Sequence, residues 1–305
     1  MNQLITNIKN LELETLHNLK NSKAANTLRA YKSDFKDFES FCIKNSFNAM
    51  PTEPKILTLY LTHLSQTSKV STLKRRIASI SVVHKMKGHY IDTKHPLIIE
   101  NLLGIKRVKG SNQRAKKPIL INDLREIINA INKQKIKKTR KLRDKALILI
   151  GFAGGFRRSE LVAIQFDDVE FVREGVKIFV KRSKTDQSGE GMIKAIPYFD
   201  NLLYCPVSHL QDWILNKQNR KDKVFPISDK SVALIIKKYA KLAGLDPNEY
   251  AGHSLRSGFA TSTAESGAEE RNIMAMTGHK TTQMVRRYIQ EGNLFKNNAL
   301  NKIKM

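Results

Sequence analysis

Between Ala25 and Lys44 the apolar residues Leu28, Tyr31, Phe35, Phe38 and Phe41 recur at three- and four-residue steps, which is one face of a helix. Pro54, tolerated in a first turn, opens a second predicted helix through Leu57, Leu61 and Leu64. A third covers about 71–86 and ends at Gly88, and a shorter fourth covers 96–105. Residues 1–20 are weakly patterned and predict at most a short helix. No strand pattern interrupts these segments, so the first third predicts a small helical domain.

The pattern fades between 106 and 117, where Lys106, Arg107, Lys109, Arg114, Lys116 and Lys117 stand without an acidic residue. Such a stretch lacks apolar residues to pack and predicts a linker, either merely solvated or tracking a phosphate backbone. It divides the chain into a domain at 1–112 and another at 113–305. Beyond Pro118 helical spacing returns at 121–133, 141–154 and 157–165. Runs at 169–172, 176–182 and 192–199, rich in β-branched and aromatic residues and punctuated by turns, predict three strands. Helices follow at 206–218, 229–243, 254–267, 269–277 and 281–291. The expected fold is mainly α, a helical domain followed by an α+β domain with one small sheet.

Charge gives the first clue to function. The 305 residues include 54 Lys and Arg against 28 Asp and Glu, a formal charge of +26. The excess is split evenly, with 21 basic and 8 acidic residues up to position 120 and 33 and 20 beyond it. A polyanion contacted by both domains is the natural partner, because an excess this large otherwise costs self-repulsion. Cys42 and Cys205 cannot staple a chain of this length and read, with no leader before them, as reduced thiols of a cytoplasmic protein. The longest apolar run, 146–156, is too short to span a bilayer.

Several familiar chemistries are excluded by spacing. Gly151, Gly154 and Gly155 are not followed by Gly-Lys-Ser/Thr, so they form no nucleotide loop, and Gly189 and Gly191 lack the third glycine of a dinucleotide fingerprint. No HExxH or paired CxxC is present, and Ser159 has no Gly-x-Ser-x-Gly around it. No metal and no cofactor is expected.

What remains is a set of cations, imidazoles and one tyrosine. Arg157 lies in the segment GFRRSEL at a predicted helix start, and Lys184 lies just past a strand in SKTD. His253 and Arg256 are three apart in GHSLR, on one face of a helical turn. His279 follows Gly278, and Tyr288 lies nine residues further on in RRYI. Each alone is weak, since a helix-start arginine is usually a surface residue and a tyrosine at helical spacing usually a core one.

Taken in order, the set resembles the tyrosine recombinases, the phage integrase family that includes the Cre and Xer proteins. The resemblance covers 118–290 with specific motifs and extends loosely over 22–112 through the run NTLRAYKSDF. It implies a SAM-like helical core-binding domain and a catalytic domain that together clamp DNA. It further implies Arg157, Lys184, His253, Arg256, His279 and Tyr288 as the catalytic set, with Tyr288 the nucleophile and Lys184 the general acid. Glu160 is expected to support the site by hydrogen bonding to a histidine. The activity implied is cleavage and rejoining through a covalent 3′-phosphotyrosyl link, without ATP or metal, by a homotetramer on two short inverted-repeat DNA sites. Off DNA a monomer or weak oligomer is expected. The helical domain begins near residue 22, leaving no room for an arm-binding domain, a compact layout that resembles recombinases of plasmids, transposons and phages as much as chromosome-dimer resolvases. The competing readings are a type IB topoisomerase or hairpin-forming resolvase with the same chemistry, and a non-catalytic DNA-binding protein. The last 17 residues, with Leu294, Phe295, Leu300 and Ile303 among polar neighbours, are expected to dock on a neighbouring protomer or on their own domain.

Overall fold

The computed structural model describes residues 8–110, 115–181, 190–217, 223–292 and 303. Lys184, Arg114 and residues 293–302 of the tail, all singled out above, lie outside the described residues. The chain divides into two compact units, Met1–Arg114 and Ala115–Met305.

The first unit is helical: α1 (Ile8–Asn21), α2 (Ala25–Lys44), α3 (Pro54–Ser65), α4 (Val70–Met86) and α5 (Pro96–Lys109). The apolar stripe of α2 supplies Phe38 and Cys42 to a core shared with Leu57, Tyr60 and Leu61 of α3, Leu73 and Ile80 of α4 and Ile98 of α5. Phe38 meets the Tyr60 ring edge-on at 5.1 Å, the arrangement aromatic quadrupoles favour. Asp34 is buried on α2 and accepts hydrogen bonds from Ser79 Oγ at 2.7 Å and from Arg75, which ties α2 to α4.

Helix α5 runs four residues further than its apolar spacing predicts. It takes in Lys106, Arg107 and Lys109, so those three are the last turn of a helix and not a linker. The physical reason is twofold. Leu102 and Ile105 pack on the core of the unit, and cations in a last turn are favoured by the negative end of the helix dipole. Gly110, at φ 71°, then ends it.

Lys116 and Lys117 are likewise fixed to the second unit. Lys116 Nζ donates to Asn248 O, Lys117 pairs with Glu249, and the Lys117 amide donates to Glu249 O at 2.8 Å. The basic stretch is therefore structured on both sides of 111–114.

The second unit runs α6 (Ile121–Lys133), α7 (Lys138–Ala153) and a four-residue α8 (Arg158–Leu161), then a 3₁₀ turn at Phe166–Asp168. The helix predicted over 157–165 thus shrinks to one turn, because Val162 caps it and the chain turns into the sheet. Strands β1 (Val169–Val172), β2 (Gly175–Val180) and β3 (Met192–Pro197) pair antiparallel in the order β1-β2-β3. Helices α9 (Pro206–Leu215), α10 (Asp229–Leu242), α11 (Ser254–Glu265), α12 (Glu270–Thr277) and α13 (Thr282–Gly292) complete it.

Helix α7 is apolar all round from Ala146 to Ala153 and every one of those residues is buried, so it is the axis of this unit. Its N-terminal Asp144 accepts from the Tyr239 hydroxyl at 2.8 Å and from Arg143, which leaves its carboxylate satisfied inside the protein. Both cysteines are buried free thiols. No described helix is long and apolar enough to cross a membrane.

Candidate active site

The buried helix α7 delivers the chain to Gly154–Gly155, and this turn is where the site begins. Gly155 sits at φ +54°, and a Cβ there would come within 3.0 Å of the Phe259 ring and 3.2 Å of Thr277 Cγ2. Only glycine gives the turn both its handedness and its close packing. Two successive carbonyls of the turn accept from cations: Gly154 O from Lys194 Nζ at 2.7 Å, and Gly155 O from Arg256 Nη1 at 2.8 Å.

Arg157 follows as the N-cap of α8. Glu160, buried and three residues on, holds it at two points. One carboxylate oxygen accepts from the Arg157 amide at 2.9 Å and the other from Nη1 at 2.6 Å. This corrects the expectation for Glu160: both oxygens are engaged by Arg157 and not by a histidine. The spacing explains it, because an acid at the third position of a helix reaches back to the capping amide.

Helix α11 carries the next pair. His253 is its N-cap and Arg256 lies in its first turn. Arg256 has no exposed surface, yet its Nε and Nη2 are buried without a hydrogen-bond partner among the described residues. A guanidinium in that position costs free energy until an acceptor arrives. Burial, together with the Arg157 charge, pulls its pKa down to about 10. His253 is pushed below its ordinary value by desolvation and by Arg256, Arg157 and Arg158, so its ring is neutral near pH 7.

The last segment turns at the C-cap Gly278, in the left-handed conformation at φ 63°. That turn brings the buried His279 back onto the end of α12, with Nδ1 2.8 Å from Thr277 Oγ1. Burial, then Arg256, Arg157, His253 and Lys194, lowers its pKa to about 4. Helix α13 packs on α11 and presents Tyr288, whose ring stacks on His279 at 6.0 Å between centroids. The Tyr288 hydroxyl lies 3.5 Å from His253 Nε2.

Arg157, Glu160, His253, Arg256, His279 and Tyr288 therefore form one constellation drawn from α8, α11, α13 and the turn after α12. Lys106, Arg107, Lys109, Lys116 and Lys117 are not among them. The arrangement puts a phenol beside a neutral imidazole and two guanidiniums, a set suited to an oxyanion such as a phosphodiester. Among the described residues no group of three His, Cys, Asp or Glu side chains is placed to hold a metal ion.

One member of the site escapes a reading by motif. Lys194 is completely buried on β3, directly opposite Ile178 of β2. Its ammonium donates to Gly154 O and Met276 O and lies 4.8 Å from the centre of the Phe156 ring. It thereby joins the turn before Arg157 to the end of α12 before His279. Desolvation, with Arg256 and Arg157 nearby and Glu160 opposing them, brings its pKa down to about 7. The available signal was positional. In the run MIKAIP, Lys194 occupies an inward strand position that alternation assigns to an apolar residue.

Comparison with known proteins identifies the family. The model of the phage integrase family matches residues 119–293. A Selenomonas ruminantium protein described as an integrase/recombinase xerD homolog is 41% identical over 99% of this chain and 92% of its own length. The tyrosine recombinase XerC of Staphylococcus haemolyticus is 28% identical over 88% of each chain. Among solved structures, the XerH site-specific recombinase bound to palindromic difH substrate in its post-cleavage complex superposes with a TM-score of 0.65 at 16% identity. That match covers 83% of this chain and 72% of that one. A lambda integrase dimer bound to a COC′ core site gives a TM-score of 0.59 at 17% identity, over 93% and 75%. These solved structures share the fold, and the family match with the 41% relative goes further: the chain belongs to the phage integrase family and is a site-specific tyrosine recombinase.

Proposed function

We propose that Tyr288 is the nucleophile of this recombinase and that the buried Arg256 is the anchor for the scissile phosphate. The observation that carries this is the pair of partnerless nitrogens on Arg256, since a non-bridging phosphate oxygen is the acceptor they lack. Arg157, fixed by Glu160, takes the other non-bridging oxygen. Together the two guanidiniums stabilise the charge that builds as the phenolic oxygen attacks phosphorus.

The proton of Tyr288 passes to His253. That ring is neutral because desolvation and three arginines depress its pKa, and a base must be unprotonated to act. An incoming phosphate offsets those arginine charges, which raises the proton affinity of His253 as the reaction begins. The bond that forms joins Tyr288 Oη to the 3′-phosphate; the bond that breaks releases the 5′-oxygen, which takes a proton from Lys184. The phosphotyrosyl link retains the phosphodiester bond energy, so a 5′-hydroxyl can attack it and rejoin the strand without ATP.

The substrate is double-stranded DNA with short inverted-repeat sites, bound by a homotetramer across two such sites in the cytoplasm at the nucleoid. The formal charge of +26 supports a partner of that kind. Lys106, Arg107, Lys109, Lys116 and Lys117, all exposed, contact its phosphates on either side of 111–114, and Arg114 lies within the same basic stretch. The test is single-turnover cleavage of a nicked site by Arg256→Ala. The expected result is a loss of about 10²- to 10³-fold, the scale of a missing oxyanion donor. Cleavage at the wild-type rate would defeat the assignment.

A further inference from the structure

We infer that Thr277 is a positioning residue that fixes His279 as the Nδ1–H tautomer, with the lone pair on Nε2. Thr277 is fully buried at the end of α12. Its Oγ1 lies 2.6 Å from the Ile273 carbonyl oxygen and 2.8 Å from His279 Nδ1. A hydroxyl has a single proton, and a carbonyl can only accept, so that proton belongs to the bond with Ile273. Toward His279 the hydroxyl therefore offers a lone pair, and Nδ1 must carry the hydrogen. Gly278 in its left-handed turn makes the contact possible by folding His279 back over the helix end.

This adds to the proposed function a role for His279 as a contact to the scissile phosphate, and it rests on that function for its consequence. A neutral Nδ1–H ring presents only a lone pair at Nε2, which an anionic oxygen repels. His279 therefore engages the phosphate as an imidazolium, and the Thr277 oxygen holds the Nδ1–H of that cation. In the DNA-free protein the ring faces Arg256, Arg157, His253 and Lys194, with the Tyr288 ring stacked on it. Burial, with the Arg256 and Arg157 charges beside it, keeps it neutral until a phosphate arrives to counter them. Thr277 never touches the reacting atoms and acts through His279 alone.

The test is nitrogen NMR of DNA-free protein labelled at histidine, with the His279 signals assigned by their loss in His279→Asn. The expected spectrum has Nδ1 protonated and Nε2 bare at pH 7.5. Thr277→Ser should keep that pattern, whereas Thr277→Val, which retains the shape without the oxygen, should shift the ring to Nε2–H. In single-turnover cleavage Thr277→Val should be slower by about tenfold, the scale of one lost hydrogen bond to a charged group, with Thr277→Ser recovering most of the rate. An Nε2–H ring in the unmodified protein overturns the inference. So does a Thr277→Val protein with unchanged tautomer or unchanged cleavage. The spectrum is independent of chemistry on DNA, so it stands even if Tyr288→Phe were to show that another residue is the nucleophile.

Discussion

Glu160 grips Arg157 from two directions, accepting from its backbone amide at 2.9 Å and from its guanidinium at 2.6 Å. A flexible arginine side chain is thereby held in one geometry before any phosphate binds, and the cost of ordering it is met during folding. Glu160→Gln keeps the shape and removes the charge. It should lower single-turnover cleavage by about 10- to 100-fold, since hydrogen bonds to charged groups contribute roughly 1.5–3 kcal/mol. DNA affinity in a gel-shift titration should change far less. A Gln variant that cleaves at the wild-type rate would show that Arg157 needs no such hold.

Arg256 sets stability against function. Its Nε and Nη2 have no acceptor among the described residues, and such a buried group costs on the order of 1–3 kcal/mol. Arg256→Met, unbranched, shorter and uncharged, should lower cleavage by about the same 10²- to 10³-fold as Arg256→Ala and at the same time raise the melting temperature. For a domain of this size each kcal/mol is worth about 2–4 °C. A melting temperature that falls would mean that the Nη1 bond to Gly155 O and the packing of the side chain outweigh the cost of the two unpaired nitrogens.

Lys194 gives a pH signature of the opposite sign from a salt-bridged lysine. Its pKa in the folded protein is about 7 because burial disfavours the charged form, against an ordinary value of 10.5. Between those values the unfolded chain holds more protons on this residue than the folded one. Stability therefore rises with pH across that window, by up to about 1.4 kcal/mol per pH unit, and the penalty is complete below pH 7. Lys194→Met should flatten that rise when melting temperatures are compared from pH 6 to 10. Parallel curves for the two proteins would place the Lys194 pKa near its ordinary value.

The exposed cations at the end of α5 should act on DNA without reading its sequence. Lys106→Ala and Arg107→Ala should each weaken binding to specific and non-specific duplexes alike. Each should also reduce the slope of log affinity against log salt by about 1. A loss confined to the specific site would assign them to base contacts instead.

Much of this was legible in the chain itself, for reasons that particular residues make plain. Helix α2 could be read because its apolar stripe faces a single core, and α3 because Pro54 marks its first turn. The strands could be read from β-branched runs between turns. The end of α5 could not be read from spacing, because the last turn is stabilised by its dipole and by Leu102 and Ile105 more than by periodic apolar residues. The candidate site residues were visible as an ordered pattern of residue types. Its internal wiring was not: the Glu160 contact with Arg157, the Thr277 contact with His279 and the reach of Lys194 to Gly154 and Met276 are tertiary relationships with no fixed sequence period. Lys194 was hidden further, because a lysine in a short strand reads as surface until its partners are known.

The most direct test of the central claim is to identify the residue that becomes joined to DNA. The protein would be incubated with a nicked recognition site and denatured, the DNA trimmed with nuclease, and the adducted peptide sequenced by mass spectrometry. A 3′-phosphonucleotide on Tyr288, present in the wild type and missing in Tyr288→Phe, is the predicted result. An adduct on another residue, or one that persists in Tyr288→Phe, would contradict it.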